Sequence, residues 1–301
     1  MKKKVTKILF LLFGLLIIVE IYLRCYWGFC DTVLMKEDPD FEYIAQPNQN
    51  RFRFRHHIYY NSYSMRSPEI KSNTVKILGL GDSVLNGGTL TDQDSIATTI
   101  LSSELSEKLK EEIQVLNISA GSWGPDNLMS YIKKHGTFDA KIAFLVVSSH
   151  DAHDNMNFQK TVDSHVSFPS RQYKFACVEL LHRYIFPRFF TEKNETNQDL
   201  GINKNTANFN TGFEDLNRYF SGQNIYFFVY LHPDRYEIQN GYYNHQGKEI
   251  IEFCKDHNID IILGINYLNV NSYRDIIHLN ELGQKKMAAS LYDKLLELLN
   301  K

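Results

Sequence analysis

The sequence predicts an α/β protein, a three-layer sandwich around a mainly parallel central sheet, preceded by one N-terminal transmembrane helix. Three observations carry that expectation. From residue 75 onward, short apolar runs of strand length alternate with longer stretches of helical apolar spacing, the pattern of strands joined by crossover helices. The first three runs end at Gly81-Asp82-Ser83, Gly121 and His150, small or polar residues gathered where such sheets bind ligands, outside the carboxyl ends of the strands. At the N-terminus, a basic flank precedes a long apolar run.

That run extends from Ile8 to Leu23, interrupted only by Gly14 and Glu20, with Lys2, Lys3, Lys4 and Lys7 before it and Tyr22, Tyr26 and Trp27 at its far edge. Extended to Trp27 or Phe29 it reaches the roughly 20 residues a spanning helix needs. A cleaved signal peptide competes, but no small-x-small site follows, and Tyr22-Leu23-Arg24 before Cys25 makes a poor lipoprotein site. The expectation is therefore an uncleaved signal anchor over residues 1–30, with the lysines in the cytoplasm and the rest of the chain extracytoplasmic, periplasmic or at the cell surface. A bacterial source fits that architecture.

Residues 31–72 read as an extracytoplasmic stalk punctuated by Pro39 and Pro47. Within it Arg51-Phe52-Arg53-Phe54-Arg55 alternates as a half-exposed strand does, and His56, His57, Tyr59 and Tyr60 continue the run. Residues 73–301 form the α/β domain. Val75 to Leu80 is its first strand, and Asp92 caps a helix reaching to Glu112. Ile113 to Ile118 is the second strand, and Pro125 opens a helix that stops near Gly136. Ile142 to Val147 is the third strand. Residues 158–223 read as an insertion, helical over Val178 to Phe190 and a polar loop over Glu192 to Thr211. Ile225 to Tyr230 and Ile259 to Leu263 are the last strands, with a helix from Gly247 to His257 between them; Asn280 caps a final helix to about Leu299.

The 301 residues carry 33 basic and 35 acidic side chains, which leaves no basic excess of the kind nucleic-acid binding requires. Hydrophobic residues at 43% are enough for a sizeable core. Four cysteines are too few for a disulfide scaffold. Cys25 and Cys30 either bridge in an oxidising compartment or stay as two thiols, whereas Cys177 and Cys254 sit among apolar residues as core thiols.

A serine hydroxyl is a weak nucleophile and needs a base that is itself oriented by a third group. Ser83, at the end of a strand, is the candidate nucleophile. Asp275-Ile276-Ile277-His278 places a carboxylate and an imidazole three residues apart, so that His278 Nδ1 faces Asp275 and Nε2 is left for Ser83. With these residues the chain resembles the SGNH hydrolase superfamily, the GDSL esterase/lipase family, from about Val75 to the C-terminus. Gly81-Asp82-Ser83 matches the family's nucleophile block, Gly121 the glycine of its second block, and Asp275 with His278 its last. The third block departs: the family's Gly-x-Asn-Asp is here Ser148-Ser149-His150-Asp151, with His150 at the position of the asparagine. An imidazole N–H also donates to an oxyanion.

The resemblance implies an SGNH/flavodoxin-like fold and acyl transfer through a covalent intermediate. Ser83 attacks an ester, His278 moves the proton, Asp275 orients His278, and the N–H groups of Ser83 and Gly121 with His150 form the oxyanion hole. Asp82, Trp123 and Asp151 are candidate pocket-lining residues. No metal or cofactor is expected. The expected activity is an extracytoplasmic esterase, or an acyltransferase served by a membrane-bound acyl donor, acting on O-acyl or O-acetyl groups of a cell-surface polysaccharide. The alternatives are a catalytically weak carbohydrate-binding or assembly protein and, more distantly, a metal-dependent hydrolase using the cluster His150-Asp151-Ala152-His153-Asp154.

Overall fold

The computed structural model describes residues 2–164, 166–190, 204 and 206–300. Helix α1 (Lys2–Trp27) is followed by two antiparallel hairpins, β1 (Met35–Asp38) with β2 (Glu42–Ala45) and β3 (Gln49–Arg53) with β4 (His56–Tyr60). The α/β domain then runs through β5 (Val75–Gly81), the short α2 (Ser83–Asn86), α3 (Ala97–Leu109), β6 (Ile113–Ser119), α4 (Pro125–His135) and β7 (Ile142–Ser148). Its second half contains α5 (Ala176–Leu180), α6 (Phe186–Phe190), α7 (Gly212–Gly222), β8 (Tyr226–His232), α8 (Arg235–Asn240), α9 (His245–Asp256), β9 (Asp260–Leu263) and α10 (Glu281–Leu299).

Strands β5 to β9 form one sheet in the order β6-β5-β7-β8-β9, every neighbouring pair parallel. β6 and β7 are buried along their whole length, the state that a sheet covered on both faces imposes and that the nearly unbroken apolar run of β7 anticipates; β6 buries Gln114 and Asn117 among its apolar residues. On one face α3 and α10 pack over Ile77, Phe144, Val146 and Phe228. On the other, α4, α7 and α9 cover Leu78, Leu145 and Val229. The chain leaves β5 for β6 on one side and returns to β7 on the other, so strand order reverses between β5 and β7. A crevice opens at such a reversal, beyond the strand ends.

Residues 31–72 differ from the expected stalk. Phe41, Tyr43, Ile44, Ile58, Tyr60 and Met65 are buried in the same core cluster as the sheet and α4, so the hairpins are a covering layer of the domain. The single strand read across Arg51 to Tyr60 is two strands. Phe54 and Arg55 both adopt positive φ (50° and 68°), the backbone of a two-residue hairpin turn, without the Asn-Gly pair that usually signals one. Tertiary contacts hold it instead: Phe54 N donates to Trp27 O at 2.8 Å, and its ring packs edge-on against Phe29 and Tyr184.

Asp92 caps a short turn at Gln93–Ser95, and α3 begins only at Ala97 and ends at Leu109, where Lys110 turns left-handed. In the expected insertion, α7 is part of the sandwich, burying Phe213, Leu216 and Phe220. The polar loop expected over Glu192 to Thr211 lies for the most part outside the described residues. All four cysteines are free thiols, so Cys25 and Cys30 form no bridge.

Candidate active site

The crevice is built from strand ends. At the end of β5, Gly81 allows α2 to fold straight back: a Cβ there would lie 2.8 Å from the Leu85 side chain and 3.1 Å from Val146 O. Asp82 caps the turn by accepting from Val84 N at 2.8 Å. Ser83 is therefore the first residue of α2, partly exposed at the crevice. Gly87, at φ 77°, ends the turn in a conformation that costs other residues more. Two arginines fix the loop that follows. Arg66, fully buried, donates to Asn86 O, Gly88 O and Thr91 O, and burial lowers its pKa to about 10. Arg274 donates to Gly87 O and Thr91 Oγ1, each at 3.0 Å.

The loop before α10 brings the other two motif residues to Ser83. Asp275 Oδ1 accepts from the backbone of Ile277 (3.0 Å) and His278 (2.7 Å), and Oδ2 meets His278 Nδ1 at 2.9 Å. His278 Nε2 lies 2.9 Å from Ser83 Oγ. A carboxylate only accepts, so Nδ1 carries the proton and Nε2 faces the hydroxyl as an acceptor. Burial pushes the Asp275 carboxyl up, but the His278 hydrogen bond and charge, with the two backbone donors, outweigh it and bring it down to about 2. The loop is closed by a bridge between Tyr273 and Leu279 and is tied to β8 by His232, whose Nε2 donates to Ile277 O at 2.8 Å. Burial lowers the His232 imidazole to about 3 and keeps it neutral.

Gly121 follows β6, and a Cβ built on it would lie 4.0 Å from Ser83 Cβ. Its carbonyl accepts from Tyr43 OH at 2.8 Å, while its N–H donates to no group among the described residues. Phe168 stacks beside it, 3.6 Å from the same Cβ position and edge-on to Tyr43. Tyr43, Arg66, Phe168 and His232 escape sequence reasoning because each reaches the site from a distant segment by tertiary contacts that no local motif marks. The core pattern marks Tyr43 and His232 only as buried positions.

His150 follows β7. Its Nε2 lies 3.7 Å from Asp151 and 3.8 Å from Asp154, and the ligating atoms of Asp82, His150 and Asp151 all lie within 4.8 Å of one another. Burial, then repulsion from Asp151, raises Asp82 to about 7; burial, then Asp154, raises Asp151 well above its ordinary value. Asp151 also accepts from Ser148 N at 2.7 Å. The five-residue cluster does not assemble as one site, because His153 turns away to Glu249 and Thr206 O. Trp123 does not line the crevice. It is 1% exposed, packs on Phe41 and Tyr131, and donates to Tyr43 O at 2.9 Å. Asp82 and Asp151 are buried beneath the surface of the site.

No family model matches the chain, and no curated protein matches it. It is similar to solved structures. A psychrotrophic esterase from Pseudoalteromonas sp. is 12% identical over 75% of this chain and 99% of its own, at a TM-score of 0.44. A lipase/acylhydrolase from Enterococcus faecalis is 13% identical over 74% and 96%, at 0.45. A member of the lipolytic protein G-D-S-L family from Veillonella parvula is 10% identical over 73% and 97%, at 0.41.

Proposed function

We propose that the protein is a serine ester hydrolase of the SGNH type. One observation carries the proposal: the unbroken hydrogen-bonded line from Asp275 through His278 to Ser83, laid across the crevice of a parallel sheet. With Nδ1–H held by Asp275, His278 Nε2 takes the Ser83 proton as Oγ bonds to the ester carbonyl carbon, and returns it to the leaving alcohol. Asp275, already ionised far below neutral pH, stabilises the imidazolium that forms between these steps. The N–H groups of Ser83 and Gly121 supply the oxyanion donors, with His150 as the third. Ser83 is partly exposed, which leaves the acyl-enzyme open to water and favours hydrolysis over transfer to a second alcohol.

The substrate we propose is an O-acetylated or otherwise O-acylated surface polysaccharide, reached because α1, long and apolar enough to cross a membrane, holds the domain outside the cell. A fluorophosphonate probe tests the core of the reading. Full-length protein in detergent is expected to be labelled, with labelling lost in Ser83→Ala and strongly slowed in His278→Ala. Equal labelling of Ser83→Ala would overturn the assignment.

A further inference from the structure

Helices α5 and α6 are joined through a wide π turn at Leu181–Ile185 into one helical rod. Its inward side combines apolar packing, Ala176, Leu180 and Tyr184 against Leu23 and Phe29, with an ionic network. Glu179, fully buried, pairs with Arg53 at 2.6 Å and Arg183 at 3.1 Å and accepts from Cys30 N, while Tyr184 OH accepts from Arg53. Its outward side carries the exposed apolar residues Phe175 (60% exposed), Val178, Leu181, Phe186 and Phe189 (76% exposed), with His182 and Arg188 exposed among them, the mixture of apolar and basic groups that suits a lipid interface.

The rod is also fixed against α1. Both carboxylate oxygens of Glu20 accept from the first N–H groups of the rod, Ala176 at 2.7 Å and Cys177 at 2.9 Å, and Arg24 donates to Lys174 O. Leu23, Phe29 and Ala176 share one buried cluster. Glu20 precedes Trp27 by seven residues, about 10 Å of helical rise. The rod therefore begins on the bilayer side of the aromatic belt of Tyr22, Tyr26 and Trp27, about 3 Å below the first and about 10 Å below the last, at the depth an in-plane amphipathic helix occupies.

We propose that the rod from Ala176 to Phe190 is a second membrane element, lying in the outer leaflet's interface beside α1 with its exposed apolar side chains in lipid. The proposal rests on the reading of α1 as a spanning helix. It explains why large apolar side chains of the rod face outward among basic groups, and it turns the Glu20 contact into a joint that sets the tilt of the domain. It also fixes the height of the active site. Phe168, beside Gly121, precedes Phe175 by seven residues, which reach at most about 25 Å. Ser83 then works close above the lipid surface and not at the end of a long tether.

The test places a polarity-sensitive fluorescent amino acid at Leu12, Val178, Phe189 or Tyr242, one position at a time. The full-length chain is reconstituted into phosphatidylcholine/phosphatidylglycerol vesicles that carry quencher-labelled lipids. The expected result is strong quenching at Leu12, 178 and 189, with shallow quenchers more effective than deep ones at 178 and 189, and severalfold weaker quenching at exposed Tyr242. Quenching at Leu12 with 178 and 189 matching Tyr242 overturns the proposal and leaves the anchor standing. Cross-linking between copies through position 178 would overturn it in favour of a dimer face. Absence of quenching at Leu12 overturns the anchor and the proposal with it, while leaving the fluorophosphonate result on Ser83 untouched.

Discussion

Two histidines stand at the strand-end crevice, His278 bonded to Ser83 and attended by Asp275, and His150 after β7 with Asp82, Asp151 and Asp154 near it, and the two are built on opposite electrostatic plans. On the α10 side, Asp275 and His278 are in direct hydrogen-bonded contact, and the carboxyl is held down at about 2 by the donors around it. On the β7 side, His150 stands 3.7 and 3.8 Å from its carboxylates, outside hydrogen-bond reach; burial, then Asp151, pushes Asp82 up, and burial, then Asp154, pushes Asp151 up. Carboxyls whose environments drive them apart take different roles. Under the proposed reading, the first side is an ionised relay suited to moving one proton in each half-reaction. The second holds buried carboxyls pushed upward next to Ser83, with His150 as the proposed third oxyanion donor.

Breaking the relay should have the largest effect. Ser83→Ala or His278→Ala is expected to lower hydrolysis of an activated acetyl ester by about 10⁴- to 10⁶-fold, with Asp275→Asn near 10⁴-fold through loss of the correct tautomer. Ser83 is partly exposed, so the unfolding free energy of Ser83→Ala should move by about 0.5 kcal/mol or less. Turnover within tenfold of the parent would mean that the hydrogen-bonded line is structural.

The next test acts on the other side. If His150 donates to the oxyanion, His150→Ala should cost about 10²- to 10³-fold in kcat with little change in KM, the effect of removing one preorganised donor. His150→Asn should recover most of that loss, because an amide N–H supplies the same donor. If alanine and asparagine are both neutral, His150 contributes only to the carboxylate cluster. The contrast between the two histidines then becomes one between a catalytic and a structural residue.

How much of this was legible follows the same division. The hydrogen-bonded line of Ser83, His278 and Asp275 could be read from Gly81-Asp82-Ser83 and Asp275-x-x-His278 because strand ends and a short turn fix the local geometry, and the inner strands β5, β7 and β8 showed as apolar runs because they are buried almost throughout. The pocket role expected for Trp123 failed because its indole fills the core under the hairpin, a choice made by Phe41 and Tyr43 from a segment read as a stalk. That segment misled because β1 to β4 are short strands carrying many polar residues, and their buried side chains are scattered. Arg53 and Arg66 look like surface charges in sequence. Their burial is explained by tertiary partners: Glu179, Tyr184 OH and Gly28 O for Arg53, and the Asn86, Gly88 and Thr91 carbonyls for Arg66.

The smallest expected effect separates the two sides by their protons alone. Asp275 has a folded value near 2, below its ordinary 3.8, so the stability it contributes is present above pH 4 and is lost as pH falls toward 2. Asp82 behaves in reverse. With a folded value near 7, the native state keeps a proton that the unfolded chain releases, so its contribution is full below pH 4 and declines as pH rises to 7. One such proton is worth a slope of up to about 1.4 kcal/mol per pH unit. Asp82→Asn keeps an oxygen for Val84 N and removes the titration. Denaturant unfolding of the full-length protein in detergent should therefore show a shallower fall in stability between pH 4.5 and 7 for this variant than for the parent, with the loss below pH 4 unchanged. An unaltered slope would mean that Asp82 is ionised at neutral pH, and that the floor beneath Ser83 is as charged as the relay beside it.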